Sequence, residues 1–252
     1  MPPKLPRSGP TRGVVFFDLD DTLYDHRTAS RAALRALREE HPSLRRRSLE
    51  WLYATYATAL ETGHRRLMAG RTTPAASRAG RMVEVFGAAG EEISAREAVR
   101  RSAIYHAVYR ANERAVPGAA GLLGSLRRRH RIGIVSNNRT REQRGKLGRI
   151  GLAPYIDLLV TSEMTGCSKP DPRIFAYALR AAGVSAPHAV MVGDSWVADV
   201  RGALAAGVGA VWFNRDRRPL PEPVDVGCVE RWRPTERAAT TIEGRLAGPN
   251  PS

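Results

Sequence analysis

Residues 14–25 read VVFFDLDDTLYD, a short apolar run that stops against three carboxylates. Val14–Phe17 are β-branched or aromatic, the composition of a buried strand. Asp18, Asp20 and Asp21 follow at once, and like charges crowded at a strand end cost stability unless a cation or a substrate uses them. Residues i and i+2 of an extended segment project to the same side. Asp18 and Asp20 can therefore face one reacting centre while Leu19 turns inward.

Four further apolar runs read as strands: IGIVS at 132–136, IDLLVTS at 156–162, AVMVG at 189–193 and AVWF at 210–213. Helical patterns lie between the later ones, with Pro172 placed for a first turn and Gly207 for a C-terminal cap. Such alternation predicts an α/β fold, a doubly wound parallel sheet of Rossmann-like type. Residues 25–115 break the pattern. Leu49, Leu52, Tyr53, Tyr56 and Leu60 repeat at helical spacing, as do Met82, Val85, Phe86 and Ala89, and again Ile104, Val108 and Ala111. A stretch of about 90 residues is too long for a simple crossover and reads as an inserted all-helical domain. The expected layout is a core from 13–24 and 116–247, the insertion at 25–115, and disordered ends at 1–12 and 248–252.

The chain has 252 residues and a net charge of +15. Of its 40 basic residues 37 are arginine, the lysines being Lys4, Lys146 and Lys169. The arginines scatter through Ala-rich helical stretches without an aromatic-interleaved basic strand, which argues against nucleic acid as a partner. No apolar run approaches the ~20 residues of a membrane span. The first residues lack a secretory signal's apolar stretch, and two cysteines without metal-type spacing make no disulfide framework. A cytoplasmic location is expected.

Ligands of doubly wound sheets bind beyond the carboxyl ends of the strands. There the first strand would deliver Asp18 and Asp20, the second Ser136 and Asn137, the loop after the third Lys169, and the fourth Asp194 with Asp199 soon after. Two carboxylates in different surroundings can serve as nucleophile and as acid/base. Mg²⁺ suits a few carboxylates combined with phosphate oxygens, and Lys169 and Ser136 can hold the equatorial oxygens of a transferring phosphoryl group. Singly, each residue has an ordinary role as a turn, cap or surface residue; four strand ends converging on one crevice outweigh that. Trp196 and Trp212 read as packing residues.

DLDDT, the SNN at 136–138, SKPDPRIF at 168–175 and GDSWVAD at 193–199 resemble, in order, spacing and strand context, the four motifs of the haloacid dehalogenase superfamily. The insertion resembles its helical type-1 cap. The resemblance implies that Asp18 attacks phosphorus and Asp20 acts as acid and base. It gives phosphate binding to Ser136, Asn137 and Lys169, and Mg²⁺ to Asp18, Asp20 through its carbonyl, and Asp194, with Asp199 steadying the site. Ala198 stands where many relatives have Asn. The implied activity is hydrolysis of a small phosphorylated metabolite. A phosphomutase, a dehalogenase and a non-catalytic binding module remain open on the same scaffold, although Asp20 and Asp194 speak against dehalogenation. Substrate and oligomeric state are not readable.

Overall fold

β1 (Val14–Phe17) pairs on both sides with parallel neighbours, Val14 opposite Arg131 on one and opposite Ala189 on the other. The computed structural model in which this is seen describes residues 13–246, so the expectation of disordered ends lies outside the described residues. The partners are β2 (Arg131–Ser136) and β4 (Ala189–Gly193); β3 (Leu158–Thr161), β5 (Gly209–Phe213) and β6 (Gly227–Val229) complete a parallel sheet of order 3-2-1-4-5-6. β1 and β4 are apolar throughout and wholly buried, as strands covered on both faces must be. The strand order reverses between β1 and β4. The crevice of a doubly wound sheet opens at such a switch point, which here carries Asp18 and Asp194.

β6 was not anticipated: three residues, Gly-Cys-Val, are too short to make an apolar run. IDLLVTS contributes only Leu158–Thr161, because the Asp157 carboxylate is drawn off to accept from Ile132 N at 2.9 Å and Ser162 opens a helical turn. Cys167 is buried, Cys228 exposed, and neither forms a disulfide.

The described residues divide into two compact units, His26–Glu113 and the rest. The first holds α1 (His26–Glu40), α2 (Pro42–Arg45), α3 (Leu49–Met68), α4 (Pro74–Ala88) and α5 (Ala95–Ala111). Ser48, Thr73 and Ser94 each accept a hydrogen bond from the third following backbone N–H, which starts α3, α4 and α5. The buried stripe of α5 is not Ile104, Val108 and Ala111 but Ala98, Ser102, Tyr105 and Tyr109. Ser102 breaks that stripe as a polar residue, whereas Ile104, Val108 and Ala111 offer an unbroken apolar spacing on another face. Tyr105 nevertheless stacks on Tyr56 at 4.6 Å and its OH pairs with Ser30 Oγ at 2.8 Å. Asp25 and Arg114–Ala115, expected in the insertion, sit with the sheet. Asp25 is buried between Arg114 and Arg215, and its N–H donates to Arg114 O.

The sheet unit carries α6 (Ala119–Leu126), α7 (Thr140–Arg149), α8 (Ser162–Thr165), α9 (Pro172–Ala182), α10 (Gly202–Ala205) and α11 (Thr235–Glu243). A wide turn, Trp196–Arg201, precedes α10. There Ser195 O accepts from both Asp199 N and Val200 N, a π-type widening of the kind that collects at functional sites. Trp212 is buried and Trp196 packs edge-on against it at 5.0 Å. Among the described residues no helix is long and apolar enough to cross a membrane.

Candidate active site

The chain leaves β1 in a tight turn. Asp18 N–H donates to Val192 O, so the first carboxylate starts while still tied to β4. Leu19 O then accepts from the N–H groups of Thr22, Leu23 and Tyr24, and Asp21 takes a φ of +60° to close the turn. For a non-glycine residue that conformation is uncommon, and Asp is among those that tolerate it best. Thr22 is buried; its Oγ1 accepts from Asp194 N at 3.1 Å, which joins the β1 and β4 loops. Indole N–H groups of Trp232 and Trp212 pin the two loops, donating to Thr22 O and Asp194 O at 3.0 Å each.

Lys169 reaches into the centre of this arrangement. Its buried Nζ donates to Asp18 Oδ1, Asp199 Oδ1 and Val135 O, each at 2.7 Å, so all three protons are placed. Asp199 is fully buried and its second oxygen accepts from Ser195 N at 3.0 Å. It can come this close because Gly193 has no side chain: a Cβ there would lie 2.1 Å from Asp199 Oδ2. Asp18, Asp194 and Asp199 each offer a carboxylate oxygen, all within 4.8 Å of one another.

Three carboxylates around one ammonium leave negative charge in excess. Burial pushes the Asp18 carboxyl up to about 7, with Asp199 and Asp20 acting in the same direction against Lys169. Burial, Asp18 and Asp199 hold Asp194 well above the usual carboxylate range. Burial alone would lower Lys169, but Asp18 and Asp199 prevail and its pKa stands above the ordinary lysine value. Hard oxygen donors, penalised by burial and mutual repulsion, form a set whose strain a divalent cation such as Mg²⁺ relieves. The donor set fits that ion.

Asp20 does not join the cluster through its carboxylate. Its Oδ1 accepts from Lys146 Nζ at 2.6 Å and its Oδ2 from Gln143 Nε2 at 3.0 Å, both from α7. Gln143 Nε2 also lies 2.5 Å from Ser136 Oγ, the buried end of β2. Asn137 spends its amide in both directions on Lys169, donating to the Lys169 carbonyl and accepting from its N–H. Asp171, in the Lys169 loop, caps α9 and pairs with Arg173.

Of the residues expected from sequence, the fold thus gathers Asp18, Lys169, Asp194 and Asp199 in one cluster, with Asp20 and Ser136 bridged beside it. Lys146, Gln143 and Thr22 were missed. The signal for Lys146 was its rarity: both described lysines of an arginine-rich chain are buried, and each ends on one member of the Asp18/Asp20 pair.

The model of the haloacid dehalogenase-like hydrolases matches residues 13–207. Pyrimidine 5'-nucleotidase YjjG of Escherichia coli is 41% identical over 110 residues, 43% of this chain and 49% of that protein, so the match spans about half of its length. Ribulose-1,5-bisphosphate 5-phosphatase of Halopiger xanaduensis is 31% identical over 86% of this chain and 91% of its own. Among solved structures, the HAD-hydrolase YfnB of Bacillus subtilis, bound to magnesium, superimposes with a TM-score of 0.69. It shares 26% identity over 91% of this chain and 99% of that one.

Proposed function

The chain belongs to the haloacid dehalogenase-like hydrolase family, and on that premise we propose that it is a Mg²⁺-dependent phosphatase of small phosphate monoesters. The observation that carries the reading is that Asp18 and Asp20, two residues apart, have separate surroundings. Asp18 shares Lys169 with Asp199, and Asp20 shares Lys146 and Gln143. Titratable pairs whose environments differ divide naturally into nucleophile and acid/base.

In this reading an Asp18 carboxylate oxygen attacks phosphorus, the bond to the leaving oxygen breaks, and Asp20 gives that oxygen its proton. Asp20 then takes a proton from the water that attacks the aspartyl phosphate, which frees Asp18 and inorganic phosphate. Lys169, Ser136 and the Asn137 main chain hold the phosphoryl oxygens. Asp18, Asp194 and the Asp20 carbonyl would hold Mg²⁺, and Asp199 would keep Lys169 and the Ser195 loop in place. When bound, the ion offsets charge on the carboxylates and on the phosphoryl oxygens. YfnB bound to magnesium and a bisphosphate phosphatase among the relatives support this assignment.

The helical unit His26–Glu113 is assigned the choice of substrate, since the groups gathered at the strand ends address only the phosphoryl moiety. The test is phosphate release from a panel of monoesters, including sugar phosphates and nucleotides. Hydrolysis should require Mg²⁺ and stop with EDTA, while Ca²⁺, larger and looser in coordination, should support little turnover. Full activity after exhaustive chelation would overturn the metal assignment, and no phosphate release from any ester would overturn the activity.

A further inference from the structure

We propose that Lys146, with Gln143, is a positioning residue that holds the Asp20 carboxylate ready to protonate the leaving oxygen. The inference rests on the phosphatase reading above and adds to it two residues of α7.

Gln143 and Lys146 lie three apart on α7, hence on one face, and both are buried. Between them they take both oxygens of Asp20, at 3.0 and 2.6 Å. A carboxylate held at both oxygens has no free rotation about its last bond, so its aim is set by α7 and not by solvent. The Lys146 ammonium also lies 3.4 Å from Glu142 and 5.1 Å from the centre of the Tyr24 ring. An ammonium meets these separate directions with three independent donors, whereas an arginine presents its donors in one planar fork. In a chain with 37 arginines and three lysines, that choice of residue matches the site's geometry.

Gln143 points the same way. Its Nε2 serves Asp20 and Ser136 together, while its Oε1 is buried without a partner. Leaving a buried amide oxygen unmet costs about 1–3 kcal/mol. Turning the amide over would set that oxygen against the Asp20 carboxylate. The side chain is therefore placed for Asp20 and Ser136 at the expense of its own satisfaction. It links the group that handles the proton to the strand end that would hold the phosphate.

The experiment compares kcat/KM for an alkyl phosphate, whose leaving oxygen needs a proton, with kcat/KM for p-nitrophenyl phosphate, whose leaving oxygen does not. These are measured for the wild type, Lys146→Met, Lys146→Arg and Asp20→Asn. Asp20→Asn should lower the alkyl-to-aryl ratio by about 10²–10⁴, the usual worth of general acid help. Lys146→Met should lower the same ratio by roughly tenfold or more, part of what the acid supplies. Lys146→Arg should fail to restore it. If Lys146→Met lowers both substrates equally, or lowers only the melting temperature, Lys146 is structural and the inference falls. If Asp20→Asn itself leaves the ratio unchanged, the phosphatase mechanism falls instead. Should Lys146→Met not fold, Gln143→Leu removes the other bond to Asp20 and must lower the ratio in the same direction; an unchanged ratio there also overturns the inference.

Discussion

The two units bury polar groups in opposite ways. Among the described residues, all the fully buried Asp, Lys and Arg side chains lie in the sheet unit: Asp25, Arg127, Lys146, Lys169 and Asp199. Among the described residues, the helical unit buries no whole charged side chain of this kind. Its buried polar residues are Ser30, His41, Ser77 and Ser102 beside the tyrosines Tyr56, Tyr105 and Tyr109, and Ser30 is satisfied by a tyrosine hydroxyl. Buried charge is a poor source of stability, because desolvation offsets most of the attraction. Hydroxyl pairs cost far less to bury. A sheet unit that accepts this cost at Lys146, Lys169 and Asp199, beside two loops pinned by indoles, is organised around a reaction. The helical unit is organised around its own packing.

The largest expected effect is at the most enclosed charge. Lys169→Met removes the single cation shared by Asp18 and Asp199 and leaves their carboxylates facing each other. Breaking a buried pair in this way costs about 3–5 kcal/mol, to be read from urea unfolding, and turnover should vanish. A variant of near wild-type stability would show that the buried charge is not strained.

Gly193→Ala comes next. The new Cβ would meet Asp199 at 2.1 Å, an overpacking worth about 1–3 kcal/mol, and it should cut activity because Asp199 can no longer hold Lys169. Unchanged activity would detach Asp199 from the site.

A third effect follows from the sign of the Asp18 shift. Its carboxyl stands at about 7 in the folded chain against the ordinary 3.8. The folded state therefore binds more protons between these values. Stability in EDTA should fall as the pH rises from about 4 to about 7 and then level off, as far as this group controls it. Mg²⁺ relieves the repulsion only when the carboxylates are ionised, so its gain in melting temperature should be larger at pH 8 than at pH 5. An equal gain at both would contradict the cluster's electrostatics.

The smallest effect belongs to the helical unit. Ser30→Ala removes one hydroxyl pair with Tyr105. It should cost about 1 kcal/mol and leave hydrolysis of p-nitrophenyl phosphate unchanged. A loss of activity on that ester would blur the division between the two units.

Legibility in the sequence followed how locally each feature is encoded. Strands β1, β2, β4 and β5 were readable because strands buried on both faces must be continuously apolar. Asp18, Asp194 and Lys169 were readable because strand ends of a parallel sheet converge. β6 was hidden by its length, and the α5 stripe by Ser102 within it and by the competing apolar spacing of Ile104, Val108 and Ala111. Lys146 and Gln143 were hidden for a different reason. TREQRGKLGR has the composition of a solvated helix, and only the fold brings two of its residues to Asp20, more than 120 positions earlier in the chain.

The division of labour between Asp18 and Asp20 is the central claim, and trapping the phosphorylated protein tests it most directly. Asp18→Asn and Asp20→Asn are mixed with p-nitrophenyl phosphate and Mg²⁺, quenched within milliseconds to seconds, and weighed intact. Asp20→Asn keeps the nucleophile, and the activated ester needs no acid, so it should gain the mass of one phosphoryl group, mapping to Asp18. Loss of that group should be slowed by roughly 10²–10⁴ for want of the base. Asp18→Asn should gain nothing. A phosphoryl group on the Asp18 variant, or one that maps to a serine in either protein, would contradict the mechanism.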